Sequence, residues 1–192
     1  LFLPGPILDT VCLTGSDAHH VGYTLRAKAG DILVAVGADG QVAEMEVAAF
    51  TKDTVTLRRR VFLAADTEPP VEVGLGICLL KGEKMDFVVQ KAVELGVAFI
   101  QPLRSENCVV RYDENKGATR RERWQRVAEE AAKQCGRTMV PTVETIRALK
   151  EWLMNFPLEA GLFLLYEREE RASLRSWLRS QEGRRYIALV GP

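Results

Sequence analysis

The chain has 192 residues, is 47% hydrophobic and 27% charged, and balances 26 Lys and Arg against 26 Asp and Glu. That length allows one medium domain or two small ones and excludes a large barrel or repeat array, while a mean hydropathy of -0.06 excludes disordered, collagenous and membrane-spanning chains. Zero net charge gives no global attraction to a polyanion, so any nucleic-acid contact has to be sought in local clusters.

The opening run from Leu1 to Leu8 is apolar but broken by Pro4 and Pro6, and it lacks a basic front or a small-residue cleavage site. It does not read as a signal peptide, and the chain is expected in the cytoplasm with no membrane segment. His19 and His20 come next and read as a packing and hydrogen-bonding element ahead of a strand rather than as a base. From Asp31 to Leu63 the pattern is β: I-L-V-A-V, a hairpin signal at Ala38-Asp39-Gly40, then V-A-E-M-E-V, T-V-T-L and R-V-F-L. The aperiodic stretch 64–70 ends in two prolines and marks a domain boundary, giving domains 1–70 and 71–192.

Beyond it the period changes. Residues 71–80 form an apolar run of strand length, as in a strand covered on both faces. An amphipathic helix over about 84–95 presents Met85, Val88, Val89, Ala92 and Val93 and closes at Gly96. A strand ending near Arg104 follows. The next helix is expected to open at Thr119 and Glu122, spaced as a capping box, and to run to Gly136. Further elements are a helix over about 145–156 stopped by Pro157, a strand from Gly161 to Tyr166, a short helix over about 172–180, and a last strand from Tyr186 to Val190. Strands alternating with helices predict a parallel α/β sheet with crossover connections.

In such sheets ligands bind outside the carboxyl ends of the strands. Those ends are Lys81-Gly82-Glu83-Lys84, Arg104-Ser105-Glu106-Asn107-Cys108, Tyr166-Glu167-Arg168 and Gly191-Pro192. Their cations suit a phosphate-bearing or otherwise anionic substrate, and Leu165 and Val190 can hold a flat ring. Gly74-Leu75-Gly76 lies inside a strand and does not continue as G-x-G-x-x-G, and no P-loop occurs, so a Rossmann dehydrogenase or P-loop enzyme is not expected. Cys12, Cys78, Cys108 and Cys135 are far apart with no C-x-x-C pair. They read as buried or half-buried thiols, with no metal site and no disulfide framework. The basic residues Lys116, Arg120, Arg121, Arg123, Arg126, Lys133 and Arg137 outnumber Glu122, Glu129 and Glu130; either a solvated helix face or a phosphate-contacting surface accounts for them.

The run Lys81-Gly82-Glu83-Lys84-Met85-Asp86-Phe87, continuing with Gln90-Lys91 and Glu94-Leu95-Gly96, resembles the signature of the RsmE-type 16S rRNA (uridine-N3) methyltransferases. His19-His20-Val21 with Leu25-Arg26 and Gly30-Asp31, then Ser105-Glu106-Asn107-Cys108, Gln134-Cys135-Gly136-Arg137, Pro141 and Leu189-Val190-Gly191-Pro192 fall in the same order. The resemblance implies a PUA-like, RNA-binding β-barrel followed by a SPOUT-type α/β domain with a C-terminal trefoil knot. It further implies a homodimer that uses S-adenosyl-L-methionine to methylate N3 of one uridine in 16S rRNA of the small ribosomal subunit.

Carried onto this sequence, the cofactor would be held by Leu165, Tyr166, Val190, Gly191 and Pro192. RNA contact falls to Arg58, Arg59 and Arg60 in the first domain and to Lys81, Lys84, Arg104, Arg111 and Arg137 around the catalytic face. N3 of uracil carries a proton that must leave, and Glu106 or Glu94 are the carboxylates that could assist, although a capping or salt-bridging acid would look the same. Family members continue past Gly-Pro with Glu-Gly-Gly, a second glycine- and arginine-containing loop and a final helix that complete the knot, the adenine pocket and the dimer face. The 192-residue chain lacks them and is therefore expected to bind the cofactor poorly. The competing readings are a non-catalytic RNA-binding or ribosome-assembly module and, less in keeping with the His-His block, a related tRNA methyltransferase.

Overall fold

Apolar alternation and turn chemistry account for most of the strands of the first unit. A computed structural model describes residues 1–64, 67–156, 160–166, 168–169 and 173–191, and the chain falls into two compact units, Leu1–Thr67 and Glu68–Pro192. The first contains β1 (Thr10–Thr14), the short helix α1 (Gly15–His19), a π-helical turn over His20–Thr24, β2 (Ile32–Val36), β3 (Val42–Phe50) and β4 (Thr54–Leu63). These strands form an antiparallel sheet in the order β1-β4-β3-β2. The Ala38-Asp39-Gly40 signal makes the β2–β3 turn, with Gly40 at φ 77°, a conformation that favours glycine. Alternate residues Ala43, Met45 and Val47 of β3 and Val55 and Leu57 of β4 are buried in one core with Leu13 and Val21. Strand β1 carries no sequence signal of its own; it exists because Thr10–Thr14 pairs with Thr54–Arg58 across the chain.

The second unit is α/β. Its elements are β5 (Glu72–Cys78), α2 (Lys84–Glu94), β6 (Phe99–Arg104), α3 (Glu114–Cys135), β7 (Thr142–Val143), β8 (Arg147–Ala148), α4 (Leu149–Met154), β9 (Gly161–Leu165), α5 (Leu174–Arg179) and β10 (Arg185–Val190). The sheet runs β7-β6-β5-β10-β9, with β8 also pairing β6, and its pairings are parallel as the alternation predicted. Met85, Val89 and Val93 of α2 are fully buried, each worth about 1.5–3 kcal/mol by removal from water.

Two elements differ from the sequence reading. Helix α3 starts at Glu114, because the Asp113 side chain caps it by accepting from the Lys116 amide at 2.8 Å. Thr119 sits inside, donating its hydroxyl back to the Asn115 carbonyl. The expected 145–156 helix shortens to α4, because the buried Gln101 amide donates to the Thr145 carbonyl at 2.7 Å and Arg147–Ala148 pairs with Leu103–Arg104. Pro157, expected to stop it, lies outside the described residues.

The two glycines of β5 make room for rings. A Cβ on Gly74 would fall 2.2 Å from the Phe99 ring, and one on Gly76 would lie 3.3 Å from Trp152. The Gly74-Leu75-Gly76 pattern that is not a nucleotide loop is thus explained by aromatic packing over the central strand.

Candidate functional site

All strands of the parallel sheet point the same way, so their carboxyl ends share one edge. There Leu165 of β9 stands opposite Val190 of β10, which in turn stands opposite Ile77 of β5, itself paired with Pro102 of β6. Leu165 and Tyr166 are 50% and 57% exposed, and Gly191 follows β10 with nothing within 4 Å of where a Cβ would stand. Four of the five residues expected at the cofactor, Leu165, Tyr166, Val190 and Gly191, are therefore neighbours; the fifth, Pro192, and the loop residue Glu167 lie outside the described residues.

Two strands along, roughly 10 Å from Val190 at the usual strand spacing, β6 ends at Arg104. Arg104, Glu106, Arg111 and Lys150 surround a cleft of about 490 Å³. The Glu106 carboxylate accepts from the Lys150 ammonium at 2.6 Å, and that hydrogen bond, with the charge behind it, holds the Glu106 carboxyl below its ordinary range. Lys81 and Lys84 flank the turn after β5, where Gly82 takes φ 66°. Lys81, Lys84, Arg104 and Arg111 are exposed. Beneath this edge Cys78 and Cys108 are buried; burial, helped by the neighbouring Cys108 thiol, pushes the Cys78 thiol up to about 11, leaving it protonated at neutral pH. Cys12 and Cys135 are exposed, where the sequence reading expected buried or half-buried thiols.

Two of the expected site residues are elsewhere. Helix α2 crosses back over the sheet, so Glu94, at its end, lies at the amino edge, next to the segment where the Ala98 amide bonds the Val73 carbonyl; there it pairs with Lys91 at 2.7 Å. Arg137 is also at that edge. It is 6% exposed, donates to the Val97 carbonyl at 2.6 Å and forms an ion pair with Glu68. Its guanidinium is a tether and not a face for RNA. The Gln134-Cys135-Gly136-Arg137 block accordingly ends α3, with Gly136 left-handed at φ 74° and Arg137 turned inward.

Most of the basic run of α3 also has partners, but at the surface and without the burial of Arg137. Lys116 pairs with Asp113, Arg123 with Asp86, Arg121 donates to the Val143 carbonyl at 2.9 Å, and Arg120 lies over the Tyr112 ring. Of the first unit's arginines, Arg58 and Arg60 are exposed and alternate with Arg59 along β4. Arg59 is drawn aside by Asp9 and lies over Phe62. His19 and His20 are exposed instead of packed, and His19 stacks on Tyr23.

Three comparisons place this geometry among known proteins. The RNA methyltransferase domain family matches residues 67–192. Ribosomal RNA small subunit methyltransferase E of Bacillus subtilis (strain 168) is 32% identical over 76% of this chain, and the match spans 57% of that relative's length, so the chain covers little more than half of it. In three dimensions the chain is similar to a ribosomal RNA small subunit methyltransferase E from Neisseria gonorrhoeae bound to S-adenosyl methionine, with a TM-score of 0.85 and 29% identity over 99% of this chain and 78% of the other. It is also similar to a putative methyltransferase from Legionella pneumophila in complex with the cofactor SAM, with a TM-score of 0.83 and 28% identity over 100% of this chain and 78% of that one.

Proposed function

The chain belongs to the RNA methyltransferase domain family, and from that premise we propose that its protein methylates N3 of a uridine in 16S rRNA of the small ribosomal subunit, using S-adenosylmethionine. The observation that carries the reading is the shared edge on which Leu165 and Val190 stand in register beside the cationic cleft of Arg104, Arg111 and Lys150. An apolar, half-exposed pair of strand ends next to a cationic surface suits a flat adenine on one side and an RNA strand on the other.

The residues present fit the cofactor. Leu165 and Val190 offer apolar faces, and Tyr166 is exposed beside them. When bound, S-adenosylmethionine supplies an electrophilic methyl group. Lys81, Lys84, Arg104 and Arg111 would hold phosphates on either side of the target nucleotide, which must leave its stack to be reached. Glu106, hydrogen-bonded by Lys150, would be the carboxylate that accepts the N3 proton. The rest of the rate enhancement is alignment.

The finer architecture belongs to the same proposal. A PUA-like barrel in the first unit is supported by its antiparallel order and by the Leu1–Leu3 segment, which bonds the backbone of β2. A trefoil knot in the second is supported by the placing of β10, the last strand described, between β5 and β9. A homodimer and a cytoplasmic location follow from the resemblance. No described helix is long and apolar enough to cross a membrane.

Mass spectrometry of small-subunit rRNA from a strain deleted for the gene, with and without add-back, tests the function. Loss of 3-methyluridine on deletion and its return on add-back are expected. Unchanged 3-methyluridine in the deletion would falsify the proposal.

A further inference from the structure

The first unit holds a cleft that the methylation chemistry does not use. It measures about 1050 Å³ and lies between the π-helical turn after α1 and the turn joining β3 to β4. One wall is an aromatic platform. Tyr23 is 73% exposed and stacks on His19 with ring centroids 4.6 Å apart and planes 17° from parallel. The opposing Phe50 ring is 39% exposed and passes 3.7 Å from where a Cβ on Gly22 would stand, so the turn is shaped to admit it.

Lys28 and Lys52 line the cleft against one acid, Asp53, and neither lysine makes an ion pair among the described residues. The β3–β4 turn is stiffened by the Thr51 and Thr54 hydroxyls, 2.7 Å apart, and by the Thr54 amide on the Thr51 hydroxyl. On the other wall the π-helical turn leads to Arg26 at φ 52°, a costly backbone state for a non-glycine residue. Strain of that kind concentrates at binding sites.

We infer that this cleft is a base-stacking subsite for single-stranded RNA, in which one nucleobase lies on the Tyr23–His19 platform while Lys28 and Lys52 meet the flanking phosphates. An exposed aromatic face with cations beside it is how proteins hold unpaired bases, since every base has a π-face and every linkage a charge. A duplex cannot offer its bases to such a platform. The inference rests on the reading of the first unit as RNA-binding and deepens it, adding a subsite separate from Arg58 and Arg60 on β4.

Fluorescence anisotropy with the purified protein, a labelled octauridine and a labelled RNA duplex tests it. The single strand is expected to bind more tightly than the duplex. Tyr23→Ala should weaken octauridine binding by about 5- to 150-fold, the range of one lost base stack, while Tyr23→Phe stays within about twofold. Tyr23→Ala should leave the salt dependence unchanged, whereas Lys28→Gln should reduce its slope by about 0.7, the share of one phosphate on a single strand. Uridine monophosphate should compete only far above the octauridine Kd; competition near that Kd would mark a free-nucleotide site and overturn the inference. Wild-type affinity in Tyr23→Ala, with weakened binding in Arg58→Gln, would remove the subsite and leave the RNA-binding reading standing. Absence of RNA binding by the unaltered protein would remove both.

Discussion

Glu68 holds Arg137 across sixty-nine residues of chain. Its carboxylate accepts from the Arg137 guanidinium, from the Thr138 amide at 2.8 Å and hydroxyl at 3.2 Å, and from the Met139 amide at 3.0 Å. Burial by itself would raise the Glu68 carboxyl, but these hydrogen bonds outweigh it and hold the group below its ordinary range. A carboxyl lowered in the folded state contributes stability that is present above its unfolded pKa and lost as pH falls through the folded one.

Glu68→Gln should therefore destabilise the second unit by about 2–4 kcal/mol at pH 7, since it leaves a buried guanidinium without its counter-charge. The deficit should shrink as pH falls below about 4, where the unaltered protein loses the same interaction. Trp124, Trp152 and Trp177 all lie in the second unit, so urea unfolding followed by tryptophan fluorescence at several pH values reads this unit alone. A deficit constant from pH 7 to pH 3 would show that the charge is not what Glu68 contributes.

Gly74 gives a steric counterpart. A Cβ there would overlap the Phe99 ring, which itself lies under Arg185. With β6 and β10 fixing the backbone on both sides, the ring has to move. Gly74→Ala is expected to cost about 1–3 kcal/mol, as overpacked cores do. The control is Gly183→Ala, where nothing lies within 4 Å and φ is not left-handed; it should change the urea midpoint little.

These residues also show how far the sequence reaches. Helix α2 was legible because Met85, Val89 and Val93 repeat at helical spacing and are all buried, and the strand ends followed from α/β alternation. What local pattern cannot carry is the identity of a distant partner. Arg137 reads as one more cation on a basic helix, and only the fold reveals Glu68 beside it. The start of α3 was misplaced because Thr119 and Glu122 imitate a cap while Asp113 makes it. The 145–156 helix was overextended because Ile146, Leu149 and Leu153 keep helical spacing, whereas Gln101 and β6 hold the first turn extended. The Tyr23 platform has no sequence signal, because an exposed tyrosine near two histidines follows no periodicity.

The exposed cations at the carboxyl edge should behave differently from Arg137. Arg104→Gln and Arg111→Gln are each expected to weaken RNA binding and to lower the salt slope by about 0.7–0.9, the share of one phosphate contact, without moving the urea midpoint. Arg137→Gln should lower the midpoint, because Glu68 and the Val97 carbonyl lose their donor. Anisotropy titrations at several salt concentrations and urea unfolding on the same preparations separate the two behaviours; a salt-slope change with an unmoved midpoint in Arg137→Gln would return Arg137 to the RNA face.

Glu106 and Glu94 are both exposed, ion-paired carboxylates, but they stand at opposite edges of the sheet. Only Glu106 shares the edge with Leu165, Val190 and the cleft of Arg104 and Arg111. Its carboxyl is held below the ordinary range by Lys150, so it is ionised throughout the neutral range, and the same hydrogen bond lowers its basicity toward the N3 proton. Glu106→Gln should lower kcat for methyl transfer by about 10²-fold or more if the group takes the N3 proton, the lower end for a positioned general base, and kcat should then gain a steeper rise with pH as hydroxide replaces it. Glu94→Gln should leave kcat within about twofold. Single-turnover methylation of small-subunit RNA across pH 6–9 measures both; a kcat for Glu106→Gln equal to the unaltered protein's at every pH would leave alignment of the methyl group and N3 as the whole of the chemistry at this edge.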